Sequence, residues 1–393
     1  MLKILWKAKE RKFFKTSKTY MLWASIMEDY MLAVVCHGPE DYRVEKVPKP
    51  KPGRGKVLVK VLAAGICASD IKCYRGSPRY WGPPKPYVKA PVIPGHEFIG
   101  RVVDADPEVA EKYGIKVGDK AIAEQIIPCW KCRFCLRGEY WMCEQQMVFG
   151  FHGGIDDGAW AEYMLYPGGS IIHKVPEQIP DKWAVLIEPL ACAIHAVERA
   201  DIKLGDYVVI SGMGPLGLCM LQVARLRGPG KLVALDVRDS RIEKALKLGA
   251  DEALNPAKTD VVEYVKRETG GYGCDVYIEA AGHPSSVVQG LRMIRRLGRF
   301  VEFGVFKDPV TVDWSDIGDG KELTIYGSHL GPYCYPLAIE YIRTGKVNAE
   351  SIVTHVFKLE NFKIAMEYSE KSLEGAVKVI LAPPGTELWS KAL

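Results

Sequence analysis

Apolar and polar positions fall into two regimes along this chain. From Met31 to about Val103 the period is that of strands. MLAVVCH opens the stretch, and VLVKVLAAGI (Val57 to Ile66) alternates and then becomes wholly apolar behind the turn cluster PKPKPGRGK. Residues 76–95 are crowded with Gly and Pro, which predicts a loop. The regime changes near residue 205. The short apolar runs YVVIS (Tyr207 to Ser211), KLVALD (Lys231 to Asp236), CDVYIEA (Cys274 to Ala280) and RFVEFG (Arg299 to Gly304) then alternate with helical stretches. SRIEKALKLGA shows the helical period, and Gly249 stands where a C-terminal cap belongs. Strand alternating with helix implies a parallel sheet covered on both faces. After Gly331 the alternation stops: a helix over Pro336 to Thr344 ends at Gly345, and IVTHVFKL reads as one more strand. The simplest arrangement is an α/β chain in which a β-rich domain is interrupted by a doubly wound domain and then completed. We expect residues 1–30 to form an N-terminal extension, 31–190 and 330–393 the β-rich domain, and 191–329 the inserted one.

Composition leaves this picture intact: 393 residues, 48% hydrophobic and 26% charged, suit a two-domain globular protein. The formal net charge of +5 matters only through its location. Within residues 1–30, Lys3, Lys7, Lys9, Arg11, Lys12, Lys15 and Lys18 oppose Glu10, Glu28 and Asp29. The remainder is therefore close to neutral and offers no footprint for nucleic acid. The same segment superficially resembles a targeting sequence. Its apolar run, Tyr20 to Met27, is short, however, and is followed by Glu28-Asp29 rather than by small residues, so it reads as an accessory extension. No window is long and apolar enough for a membrane-spanning helix. Eleven cysteines without an export signal point to a reducing, cytoplasmic setting and to metal binding rather than disulfides.

Three motifs carry chemistry. Cys129, Cys132 and Cys135, with two residues between neighbours, are followed by Cys143 in a stretch rich in Pro, Trp and Gly, and they match a closed tetrahedral sulfur site for zinc. An iron–sulfur cluster is the rival occupant, with nothing else here suggesting electron transfer. The second signal is dispersed: Cys67 in GICASD, Gly95-His96-Glu97 after the Pro-rich loop, and Glu188 in LIEPLACAIHA. Each alone is compatible with an ordinary core residue. The third is Gly212-Met213-Gly214-Pro215-Leu216-Gly217, directly after YVVIS and opening a helical run, with Asp236 ending the next strand. There Gly212 serves the tight turn, Gly214 the approach of a pyrophosphate, and Gly217 the packing of helix on strand. The helix N-terminus supplies amides and a positive dipole to the phosphates. Asp236 is suited to bind the adenosine ribose hydroxyls and to repel the 2′-phosphate of NADP; capping the following turn is its alternative role.

In this order the motifs resemble the zinc-containing medium-chain dehydrogenase/reductase family. GICASD, GHEFIGRVV with VGDKA, the four-cysteine lobe, GMGPLG and DVYIEAAG carry the resemblance, over roughly Met31 to Pro383. It implies a GroES-like catalytic domain interrupted by a Rossmann NAD-binding domain, with two zinc ions, one catalytic and one structural. Cys67, His96 and Glu97 or Glu188 would surround the catalytic zinc, and Cys129, Cys132, Cys135 and Cys143 the structural one. Glu188 stands where the alcohol-dehydrogenase branch has a second cysteine, and Cys192 lies four residues further on. A carboxylate in that slot is similar to the sorbitol, threonine and sugar dehydrogenase branches, and the overall look is similar to erythritol/threitol-type polyol dehydrogenases. The implied cofactor set is Gly212, Gly214, Pro215, Leu216, Gly217, Asp236 and Arg241. The implied catalytic residues are Ser69, which leads the alcohol proton towards solvent, and Glu188. Many relatives carry a relay histidine where this chain has Lys72. SHLGPYCYPLAIEYIRTG adds an aromatic wall whose Tyr333 and Tyr335 would meet the substrate. The expected reaction is NAD-dependent oxidation of a polyol at a secondary alcohol to a ketose, by a homodimer or homotetramer. L-Threonine or an aldose is the alternative substrate. A non-catalytic zinc- and nucleotide-binding protein is the alternative of another class.

Overall fold

The computed structural model describes residues 29–393, so the expected N-terminal extension lies outside the described residues apart from Asp29 and Tyr30. β1 (Tyr30–Gly38) and β2 (Asp41–Pro48) form an antiparallel hairpin. β3 (Val57–Gly65), β4 (Phe98–Ala105), β5 (Lys120–Ala123), β6 (Tyr163–Tyr166) and β7 (Ile172–Val175) follow in antiparallel pairings. β3 is apolar almost throughout because both its faces are covered, with only Lys60 partly exposed. Phe98 at the start of β4 meets Phe149 edge to face at 5.6 Å, each ring contributing roughly 1.5–3 kcal/mol by burial.

The inserted unit holds β8 (Tyr207–Ser211), β9 (Lys231–Leu235), β10 (Glu252–Leu254), β11 (Cys274–Glu279), β12 (Ile294–Glu302) and β13 (Thr324–Gly327). They form one wholly parallel sheet in the order β10-β9-β8-β11-β12-β13. This is the doubly wound order, in which growth reverses between β8 and β11 and opens a crevice at their C-terminal ends. The chain then returns. β14 (Val353–Lys358) and β15 (Lys378–Ala382) complete the first sheet, in the order β14-β15-β3-β4-β5-β7 with β6 also on β3. The expected α/β architecture, a β-rich unit interrupted by a parallel one, is the observed one.

Differences from expectation are local. RFVEFG belongs to a longer strand, Ile294–Glu302, and the Gly/Pro-rich loop contains the short helix Pro78–Trp81. β15 is absent from the expected elements, because a short KVILA headed by lysine does not announce a strand whose every residue is buried. The helix Ile187–Ala200, buried on most of its surface, runs through the position expected to divide the domains. Among the described residues no helix is long and apolar enough to cross a membrane.

Two registers position the site. Ala64 pairs with Phe98, so the residue just past β3 and those just before β4 become neighbours. Ile380 pairs antiparallel with Gly65, which carries the head of β15 to the same place.

Candidate active site

Strand ends deliver the first cluster. Cys67 follows β3 and precedes the helix Ala68–Tyr74, while His96 and Glu97 lead into β4. One donor atom from each of Cys67, His96 and Glu97 lies within 4.8 Å of the other two. His96 and Glu97 are buried. Asp70, at the start of the helix, accepts a hydrogen bond from the Cys67 amide at 2.8 Å and stands 3.5 Å from His96 Nδ1. Ser69 Oγ lies 3.5 Å from His96 Nε2. Nδ1 makes no hydrogen bond of good geometry, and its neighbour is the buried Asp70 carboxylate. Thiol, imidazole and carboxylate thus converge, and three donors of these kinds fit zinc of the catalytic kind.

Glu188 is not part of that donor cluster. Its carboxylate accepts hydrogen bonds from Gln125 Nε2 at 2.5 Å and from Cys192 Sγ at 3.4 Å. Its pKa is pushed up to about 7, first by burial and then by Glu97, with His96 and Lys378 opposing. Of the two glutamates left open by the sequence, Glu97 is the one that stands with Cys67 and His96. Glu188 is held apart from that set by its bonds to Gln125 and Cys192.

Lys378 is the residue that sequence reasoning missed. Its ammonium sits 2.6 and 2.7 Å from the two Glu97 carboxylate oxygens and 3.1 Å from the Ile66 carbonyl. Burial works against its charge, but Glu97 outweighs that and holds its pKa above the ordinary lysine value. The tight fit depends on Gly65, where an added Cβ would meet Glu97 Oε2 at 2.1 Å.

The aromatic surroundings differ from expectation. Tyr333 is exposed, and its hydroxyl donates to the Gly138 carbonyl at 2.6 Å. Tyr335 is fully buried, and its hydroxyl donates to Gln125 Oε1 at 2.5 Å. Both phenols are thus committed within the protein, and Tyr335 serves Glu188 indirectly by fixing Gln125. The rings beside the metal donors come instead from the Gly/Pro-rich loop and its neighbour: Phe151 stacks on His96 at 5.9 Å, and Tyr80 on Phe151 at 5.6 Å.

The second cluster is the cysteine lobe. The sulfurs of Cys129, Cys132, Cys135 and Cys143 lie within 4.8 Å of one another. Backbone amides aim at them: Cys129 and Cys132 donate to Cys143 and Cys129 sulfurs at 3.3 Å each. The Cys135 amide foremost, then that of Glu144, draws the Cys132 pKa down to about 6, as a metal-binding thiolate needs. Among the described residues, Ile126 and Tyr140 complete a small buried cluster separate from the main core, with Trp141, Ile171 and Leu330 partly buried against it. A closed sulfur set in a lobe with so little core fits structural zinc.

The glycine-rich turn follows β8 as its spacing requires. Gly212 has φ +95°, and a Cβ there would press on the Ala280–Ala281 backbone at 2.6–2.7 Å. A Cβ at Gly217 would stand 1.7 Å from the Gly212 carbonyl, whereas Gly214 faces open space. Pro215 and Leu216 form the first turn of the helix Pro215–Arg225, whose leading amides lack intrahelical partners. This cradle fits a pyrophosphate. Asp236 accepts from the Met213 amide at 2.7 Å and from the Arg238 amide at 2.9 Å, so the turn-fixing role left open by the sequence is present. Arg241 is buried and reaches across to the returning segment, donating to the Ala376 carbonyl at 2.5 Å and to Ser372 Oγ at 3.0 Å. Its other terminal nitrogen, Nη1, is unpartnered.

Comparison with known proteins agrees with this geometry. Residues 53–177 match the alcohol dehydrogenase GroES-like domain, and residues 215–344 match the zinc-binding dehydrogenase domain. The chain is 49% identical over 355 residues to the erythritol/L-threitol dehydrogenase of Mycolicibacterium smegmatis, covering 90% of this chain and 98% of that one. It is 37% identical over 361 residues to the L-threonine 3-dehydrogenase of Pyrococcus horikoshii, covering 90% of this chain and all of that one. A short chain alcohol dehydrogenase from E. coli CFT073, solved with NADH, superposes with a TM-score of 0.80 at 30% identity, over 90% of this chain and 99% of that one. With the donor clusters, the dinucleotide cradle and both domain matches in register, the chain belongs to the zinc-containing medium-chain dehydrogenase/reductase family, among its NAD(P)-dependent alcohol and polyol dehydrogenases.

Proposed function

We propose that the protein oxidises a short polyol, of the erythritol or threitol kind, at a secondary carbon to the ketose, with NAD as hydride acceptor. The observation that carries this reading is the donor set itself: one thiolate, one imidazole and the Glu97 carboxylate, with Glu188 held beside them, in a chain half identical to an erythritol/L-threitol dehydrogenase. Cys67, His96 and Glu97 would hold zinc, whose Lewis acidity would let an alcohol lose its proton near neutrality, and NAD in the glycine-rich cradle would accept the hydride. Ser69 takes that proton first. Lys72 cannot pass it on as a relay histidine would, because its ammonium donates to the Val305 carbonyl at 2.5 Å across the cleft. The proton would therefore have to leave Ser69 by a route other than Lys72. Glu188, oriented by Gln125, receives a neighbouring substrate hydroxyl. Two anchored oxygens fix which carbon faces the nicotinamide, and such orientation is worth orders of magnitude in rate.

Kinetics test the reading directly. Erythritol and threitol are expected to exceed ethanol and 2-butanol in kcat/KM by at least about a hundredfold, on the order of 2.7 kcal/mol. Parity with simple alcohols overturns the polyol assignment, and a threonine value above all of them replaces it with threonine oxidation.

NAD preference rests on Asp236. Arg238 and Arg241 both donate to Ser372, and Arg241 also to the Ala376 carbonyl, which turns both guanidiniums towards the returning segment. Asp236→Ser is expected to raise the NADP-to-NAD ratio of kcat/KM by about tenfold, or ~1.4 kcal/mol, through loss of like-charge repulsion. A wild type that turns over both cofactors equally overturns the assignment.

The two thiolate-bearing metal sets need reducing conditions, and we place the enzyme in the cytoplasm on that ground. We also infer a homo-oligomer, dimer or tetramer. Strand β13 is an edge strand of the parallel sheet, with Ile325 exposed on it and Trp314 exposed nearby, a surface suited to pairing with its own copy. Sedimentation equilibrium reads this state, and a monomer at assay concentration overturns it.

A further inference from the structure

A third convergence of donors lies two turns along the helix Ile187–Ala200 from Glu188. His195 and Glu198 project from neighbouring turns of that helix, and Cys334 sits at the start of the helix Tyr335–Arg343 packed against it. One donor atom from each of the three lies within 4.8 Å of the other two, and Cys334 Sγ is 3.8 Å from Glu198 Oε2. Nothing in the reaction described above uses them.

The three differ in readiness: burial first and then Glu198 push the Cys334 pKa up to about 12, so its proton leaves only as a metal arrives. Neither ring nitrogen of His195 hydrogen-bonds to a described residue, and the ring is steadied by the edge of Trp141 at 6.0 Å. Burial first, then the charges of Arg199 and His329, pull its pKa down to about 4, so the imidazole is neutral with a free lone pair at physiological pH. Cys334 is a buried thiol whose nearest polar partner is the Glu198 carboxylate. Glu198 has 45% of its side chain exposed and so opens the cluster to entry from solvent. Its 3.5 Å contact with Arg227 is an exposed pair of little energetic weight, easily exchanged for an ion.

We propose that His195, Glu198 and Cys334 form a third metal site that takes a divalent ion of borderline softness, zinc foremost, with water completing the coordination. Nitrogen, sulfur and oxygen donors in one set exclude calcium and magnesium, which require oxygen cages. Contraction of the donors by about 1 Å brings them to tetrahedral zinc distances. On binding, the Cys334 thiol gives up its proton to solvent and the sulfur takes the metal in its place. The ion bridges the end of one helix and the start of the next, where the chain returns from the inserted unit to the first, and so stiffens that junction.

The experiment uses the purified full chain with its resident metal, equilibrated with micromolar free zinc, freed of excess ion, and counted by mass spectrometry. Wild type is expected to hold one more zinc per chain than Glu198→Gln or Cys334→Ser. Zinc should also raise the Tm of wild type and leave that of the variants unmoved. Polyol turnover at the level of wild type certifies that each variant is folded, and should Cys334→Ser fail that check, His195→Gln takes its place beside Glu198→Gln. Equal zinc content in wild type and folded variants, or an equal Tm response, overturns the site.

Discussion

Replacing His96 with alanine is expected to lower kcat/KM for the polyol by three orders of magnitude or more, about 4 kcal/mol of transition-state stabilisation, while the fold survives. The asymmetry follows from how His96 is held. Its ring contacts are a 3.5 Å approach to Ser69, a 3.5 Å approach to Asp70 and stacking on Phe151, none of which closes a strand or a helix. Removing the imidazole takes away one of three converging donors, and the remaining thiol and carboxylate do not retain a metal in reactive geometry. Cys143→Ser should behave in the opposite way. Cys143 belongs to the small cluster around Ile126, Cys135 and Tyr140, where metal binding supplies folding free energy that the side chains cannot. Soluble yield, zinc per chain and turnover, measured side by side, separate the two. A His96→Ala enzyme that keeps a tenth of wild-type turnover with folded yield intact removes His96 from the reaction.

Lys378→Met is expected to be the most damaging single change outside the cysteine lobe, costing about 3–5 kcal/mol of stability. Lys378 and Glu97 have 3% and 2% of their side chains exposed, so loss of the ammonium leaves the buried carboxylate without the partner that contacts both its oxygens. Thermal unfolding should fall by at least about 6 °C, and a Glu97→Gln change in the same chain should recover part of the loss, since the orphaned charge is then gone. The same double change should not restore turnover if Glu97 serves the metal. A Tm within about 1 °C of wild type for Lys378→Met contradicts the weight placed on this pair.

How much of this was legible beforehand depended on how local each signal is. GMGPLG after YVVIS places the dinucleotide cradle because turn, strand and helix are contiguous, and the four cysteines place their own lobe within fifteen residues of chain. The alternation of strands and helices from residue 205 likewise yields the parallel sheet. Lys378 could not be found this way: its meaning comes from pairing with a residue 281 positions earlier, through the register of β15 on β3. Gln125 and Asp70 are of the same kind, polar residues whose roles appear only when strand ends meet. Tyr333 and Tyr335 show the converse error. An aromatic-rich segment suggested a substrate wall, whereas the backbone carbonyl of Gly138 and the amide of Gln125 already engage those hydroxyls. Cys67 with His96 and Glu97 lies between the two cases, weak as separate residues and definite once Ala64 pairs with Phe98.

The position of Lys378 also imposes an order on biosynthesis. Glu97 leaves the ribosome 281 residues ahead of its partner, which at typical elongation rates of about 5–20 residues per second is an interval of roughly 14–56 s. During that time the inserted parallel unit, contiguous in sequence, can fold on its own, while the first sheet lacks β15 and β14. A metal ion that reached Cys67, His96 and Glu97 in that interval would meet a carboxylate still without its ammonium partner. Metal loading of the nascent chain and of the finished one would be chemically different events, the former at a site still short of one positive charge.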